Sequence, residues 1–129
     1  MTVPDDSEAL MLLATAQKKS SQYNDAYQTY RKVTALSGTP LVNQARYLAG
    51  ELAQNHLGRH DQAAELFESY LSHATKHSPN RPEAKLRLAK ALLNLSQTDR
   101  AKVVLQEIIQ EYGRTSVANR ARNLLDDIP

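Results

Sequence analysis

Few residue groupings in this sequence could do chemistry. His73 and His77 stand four apart, a spacing that on a helix puts both rings on one face, within reach of a shared metal ion. No Asp or Glu lies beside them to complete a ligand set, and residues 73–80 read as a helix end running into a loop, so we read both as surface histidines. His56 and His60 straddle Gly58 and read as turn residues; Asp126-Asp127 reads as a polar tail at a helix end. A nucleophile beside a base, a phosphate-cradling glycine loop and a facing carboxylate pair are all missing from the pattern. We therefore assign no catalytic residue, no metal site and no cofactor, and expect a protein that is not an enzyme. The chain has no Cys, which removes disulfides, thiol chemistry and Cys-ligated zinc.

Binding is the remaining class. Sixteen basic residues are scattered among fourteen acidic ones for a net charge of +2. Lys18-Lys19 and Arg120-Ala-Arg122 are too short to form the basic stripe a nucleic-acid partner requires. No apolar run approaches the roughly 20 residues of a membrane span, so direct membrane insertion is not expected. The opening Met1-Thr-Val-Pro-Asp-Asp lacks the basic and apolar regions of a signal peptide. What is left is another protein or a peptide segment, held by a monomer or weak homo-oligomer.

The elements that would present such a surface follow from an internal repeat. Tyr23-Asn-Asp-Ala26 leads to Tyr30 and Val33; His60-Asp-Gln-Ala63 leads to Phe67 and Tyr70; Thr98-Asp-Arg-Ala101 leads to Leu105 and Ile108. The alanines are 37 and 38 residues apart. Offsets of four and seven place each set on one stripe of a helix, where the Ala admits a neighbouring helix closely and the larger residues fill the space beyond. Ala64, one position off its stripe, should then tolerate a larger side chain that Ala63 would not. An amphipathic segment precedes each stripe, carrying Leu10, Leu13 and Ala14, then Leu48, Ala49 and Leu52, then Leu88, Ala89 and Leu92. Short turns make each pair antiparallel. One hairpin cannot cover its own apolar faces, so the hairpins stack.

The expected helices are 5–20, 23–36, 40–57, 60–75, 81–95, 98–112 and 116–127. Asp5 with Glu8, and Asn80 with Glu83, are spaced as capping boxes. Thr39 precedes Pro40 at a helix start, and Gly58 suits the left-handed turn that ends a helix. Residues 39–48 also parallel residues 115–124, two periods on, so the last helix reads as the first half of a further repeat, with Val117, Ala121, Leu124 and Leu125 capping the stack. The fold class is all-α, in one domain over 1–129, with repeats near 5–38, 39–77 and 78–114 and a capping helix over 115–129.

These residues, above all Gly58-Arg-His-Asp-Gln-Ala63 followed by Phe67, resemble the tetratricopeptide repeat family over nearly the whole chain. The family's Leu-Gly pair is replaced by Leu13-Ala14 and Leu88-Ala89, with Gly50-Glu51 in the middle repeat, and the period exceeds the usual 34 or so. The resemblance implies a right-handed superhelical stack whose first helices line a concave surface. The ending Glu111-Tyr-Gly-Arg-Thr-Ser-Val-Ala-Asn-Arg-Ala-Arg-Asn-Leu-Leu125 looks like that of bacterial envelope members. The chain looks most like the C-terminal repeat domain of the periplasmic protein associated with the Tol-Pal system. It is more distantly similar to the repeat lipoprotein of the outer-membrane β-barrel assembly machine. A periplasmic protein-binding scaffold is the implied function. A cytoplasmic peptide-recognition adaptor and an element that self-assembles through its terminal hairpins are the alternatives.

The resemblance also implies the partner-binding residues. On the first helices these are Met11, Thr15 and Lys18, then Leu48, Leu52 and Asn55, then Leu86, Lys90 and Leu93. The same leucines are equally suited to pack within the stack. Where chaperone-binding members place a Lys, Asn and Arg clamp for a C-terminal carboxylate, this chain has Met11, Thr15 and Leu86, with only Lys90 basic, so that clamp is not expected.

Overall fold

A computed structural model describes residues 6–129. Those residues form seven helices and no strand: α1 (Asp6–Lys19), α2 (Tyr23–Thr34), α3 (Leu41–Asn55), α4 (His60–His73), α5 (Arg81–Asn94), α6 (Thr98–Tyr112) and α7 (Ser116–Asp126). Each helix packs on the next in sequence, giving three antiparallel hairpins in a row with α7 laid on α6. In addition, α1 touches α3 and α5 touches α7, whereas no comparable contact joins α2 to α4 or α4 to α6. No such contact joins α3 to α5 either, but side chains of Glu51 and Gln54 on α3 reach Arg87 on α5, so the odd-numbered helices form one linked row.

The apolar stripes account for the packing. Ala26, Ala63 and Ala101 are completely buried, and Tyr30, Phe67 and Leu105 fill the space four residues on. Their burial supplies the main driving force for stacking. Ala64 is buried too, because α4 is covered by α5 as well as by α3, so the expected tolerance at that position is corrected. On α7, Ala121 is buried with Leu86, Leu105 and Ile108, and Val117, Leu124 and Leu125 pack on the same cluster.

Each hairpin turns through a residue with positive φ: Ser21 (60°), Gly58 (62°) and Ser96 (59°). All three stand two residues ahead of the next helix, so the turn geometry repeats although the residue type does not. At helix starts the sequence reading holds unevenly. Thr39 accepts from the Leu41 amide at 3.2 Å and shares a 2.8 Å hydrogen bond with Ser7, and Thr115 accepts from the Ala118 amide at 3.3 Å. Asp5 lies outside the described residues. The Asn80–Glu83 box does not form: Asn80 makes no side-chain cap, and Glu83 turns instead toward α7.

Candidate functional site

The odd-helix row presents two surfaces of different chemistry. Between α1 and α3 runs a shallow apolar groove of about 370 Å³, lined by Met11, Leu12, Leu41 and Leu48 with Glu8, Thr15 and Gln44 at its rim. The helical period puts Glu8, Met11, Leu12 and Thr15 on one side of α1, and Leu41, Gln44 and Leu48 on the facing side of α3. Thr15 donates to the Met11 carbonyl at 2.9 Å, which keeps its hydroxyl from demanding a partner in the groove.

Across α3, α5 and α7 the same row carries a ladder of charges. Glu51 of α3 meets Arg87 of α5 at 3.1 Å, and Arg87 lies 3.8 Å from Glu83 one turn back. Glu83 then takes both guanidinium nitrogens of Arg120 on α7, at 2.9 and 3.0 Å. Gln54 donates to the Arg87 carbonyl at 2.8 Å. The hydrogen bond from Arg120, with the positive charge of Arg120 and then Arg87 adding to it, holds the Glu83 carboxyl below its usual value near 4.5 even though partial burial opposes this. Burial pushes the Tyr47 hydroxyl upward, and the Glu51 charge adds to the effect.

A lowered carboxyl pKa stabilises the fold at pH values above the unfolded value, and that contribution disappears as pH falls through the folded one. Glu83→Gln should therefore be less stable than the parent at pH 7. Both partners reach solvent, so screening limits the loss to about 0.3–1 kcal/mol. The gap should narrow as pH falls below the ordinary carboxyl value near 4.5 and vanish once it has passed the lowered folded value. Thermal melts of the two proteins from pH 3 to 8 measure it, and a gap that does not change with pH would show that the clasp is sterically useful but electrostatically idle.

The expected site residues divide. Met11, Thr15 and Leu48 meet in the apolar groove. Lys18 and Asn55 are exposed at the C-terminal ends of α1 and α3, while Lys90 and Leu93 are half-buried on α5. Leu52 and Leu86 are a correction: they are 1% and 0% exposed, Leu52 in the main core and Leu86 beneath α7. Each is one residue out of phase with the surface position beside it, Glu51 and Arg87. Those two, with Glu83 and Arg120, are the residues the sequence reading missed. Their recurrence on successive odd helices was the available signal.

Elsewhere, the His56 ring stacks on Tyr23 with centroids 3.8 Å apart, so it joins two hairpins beyond serving the turn. His73 is exposed, with Nδ1 2.8 Å from the Ser69 carbonyl. Among the described residues no three His, Cys, Asp or Glu side chains assemble as a metal site. On the other side of the stack, Lys85 is buried and bridges Glu111 at 2.7 Å and Glu107 at 3.2 Å. Burial alone would lower the Lys85 pKa, yet the two carboxylates carry it above the usual value.

The repeat geometry and the sequence agree on a family. A model of the tetratricopeptide repeat matches residues 56–125, more than half of the chain. The chain belongs to the tetratricopeptide repeat family. A second model, described as anaphase-promoting complex, cyclosome, subunit 3, matches residues 1–70. No curated protein matches the sequence. Among solved structures, PcrH from Pseudomonas aeruginosa is similar with a TM-score of 0.72 and 19% identity, over 98% of this chain and 93% of that one. PcrH in complex with the chaperone binding region of PopB is similar with a TM-score of 0.72 and 20% identity, over 96% of this chain and 98% of that one. Similarity at that identity shows a shared fold.

Proposed function

We propose that this tetratricopeptide repeat protein is a non-catalytic scaffold that holds a segment of another protein along its odd-helix face. The carrying observation is the groove between α1 and α3, where Met11, Leu12, Leu41 and Leu48 line an apolar trough beside Glu8, Thr15 and Gln44. An amphipathic helix or extended segment laying two or three apolar side chains into such a trough is a recurring mode of peptide recognition. The neighbouring ladder matters because its charges already satisfy one another. It would bound the apolar footprint and select polar residues in the partner, without itself supplying the main attraction. The solved PcrH complex, which contains the chaperone binding region of PopB, supports a protein segment as the class of ligand for this fold.

The setting we propose is the bacterial cell envelope, in the periplasm. This reading rests on the resemblance of the 111–125 ending to envelope repeat proteins and, through it, to the Tol-Pal-associated protein and the β-barrel assembly lipoprotein.

Site-specific photo-crosslinking in cells tests the face and the partner together. A benzophenone side chain at Thr15 should capture a protein other than this one. Adding Met11→Glu and Leu48→Glu should reduce capture by at least about tenfold, because a carboxylate buried without a partner under an apolar segment is costly. Capture that survives both glutamates, or that occurs instead from Gln106 on α6, would move the binding surface to the even-helix side.

A further inference from the structure

The first helix of each hairpin carries a docking stripe, and in one hairpin that stripe is bare. Ala45, Ala49 and Leu52 on α3 are buried, as are Ala84, Leu88 and Ala91 on α5. Counted back from Ala14, which matches Gly50 and Ala89, the equivalent residues on α1 are Ala9, Leu13 and Ala16. All three are exposed, and Leu12 beside them is 73% exposed and Leu13 48%. On α3 and α5 this stripe is covered by the preceding hairpin. On α1 nothing among the described residues covers it. Offsets of three, four and seven make Ala9, Leu12, Leu13 and Ala16 one continuous apolar strip about 10 Å long.

We infer that this strip is the contact between two copies of the chain, joined α1 to α1 in antiparallel fashion about a two-fold axis. The strip is self-complementary. The strip is centred between Leu12 and Leu13, so an antiparallel copy sets Leu12 against Leu13 of its partner and Ala9 against Ala16. The small residues at both ends allow the axes to approach to roughly 8 Å. The same register brings Asp6 of one copy to Lys19 of the other, twice. Asp6 and Lys19 are exposed, and α1 is acidic in its first turn and basic in its last. A parallel pairing would instead place like charges together at both ends.

The opposite end of the stack sets the stoichiometry. There α7 covers the last hairpin and turns Asn119, Arg120, Asn123 and Asp126 to solvent. Among the described residues no second bare stripe is left for a head-to-tail contact, so association closes at two instead of growing into a filament. A single helix pair is a small interface, so the dimer is weak and its population depends on concentration.

Sedimentation equilibrium over a concentration series reads the association directly. The parent should show a monomer–dimer equilibrium with no larger species. Leu13→Glu, an exposed position outside the segment groove, should weaken it at least about tenfold at unchanged helicity. Asp6→Lys and Lys19→Asp should each weaken it by about two- to fivefold at low salt, and the two reversals combined should restore it. Rescue by the double reversal is specific to the antiparallel register. A parent that stays monomeric at the highest concentration, an association untouched by Leu13→Glu, or a double reversal as weak as the singles would overturn the proposal. In the first case the strip is left to a helix from a different protein. Leu12 borders both surfaces, so a Thr15 adduct with a second copy of this chain counts for the strip and an adduct with a different protein counts for the groove.

Discussion

Leu86→Glu is expected to unfold the C-terminal third of the stack or the whole of it, and Leu52→Glu to do the same from the middle. Both side chains are essentially without solvent contact, and neither has a cation at hand in the apolar cluster around it. A glutamate there either ionises unpaired or takes up a proton and still leaves a polar group without a partner, on top of the lost leucine packing. Together these exceed about 4 kcal/mol, a large part of the stability of a domain this size. Arg87→Glu, one position from Leu86 but on the surface, should instead leave a folded protein. Its ladder partners Glu51 and Glu83 would then both face a like charge, a deficit of about 1–2 kcal/mol. Circular dichroism melts of the three variants separate the cases. Similar losses for Leu86→Glu and Arg87→Glu would mean that the phase of α5 is misassigned.

The second large effect is expected at Gly50. A methyl built on its α-carbon would stand 2.8 and 2.9 Å from Cε1 and Cζ of Phe67. Phe67 is completely buried in the centre of the core, so its ring cannot withdraw. Gly50→Ala must therefore push α3 and α4 apart, at about 1–3 kcal/mol. That outweighs the roughly 1 kcal/mol that alanine gains over glycine inside a helix. The melting temperature should fall by several degrees. The equivalent places in the other hairpins hold Ala14 and Ala89, both fully buried, so only the middle hairpin needs the missing methyl. Phe67→Leu in the Gly50→Ala background should recover part of the loss. A variant as stable as the parent would mean that the helices can separate freely at this crossing.

The two positions show what the sequence could and could not convey. The stripes headed by Ala26, Ala63 and Ala101 were legible because the same residue types recur at the same offsets three times along the chain. Helix ends came within one or two residues, since Gly58, Thr115 and the serine turns act locally. The face of the odd helices was much less legible. α3 is met by α1, α2 and α4, and α5 by α4, α6 and α7, one neighbour more than any even helix has, so each buries an arc too wide for a leucine to indicate which way it points. Leu48 reaches the groove while Leu52, a turn away, belongs to the core. Glu83 failed in another way. Its spacing from Asn80 suits a local cap, yet Arg120, 37 residues on, offers a bidentate charged partner, which outcompetes a single neutral amide.

The strictly sequential packing has a consequence for how the protein forms. Almost every contact joins a helix to the one beside it in the chain, with only next-but-one neighbours added. Closing such contacts requires no long loop to be pinned, and topologies of this kind have low contact order and fold quickly. Each hairpin also meets its template as soon as it emerges, so assembly can proceed vectorially from the amino end during synthesis. Among the described helices α7 arrives last. Until α7 docks, Leu86 and Leu105 lack the cover that Ala121, Val117, Leu124 and Leu125 give them, and that end of the nascent stack is sticky.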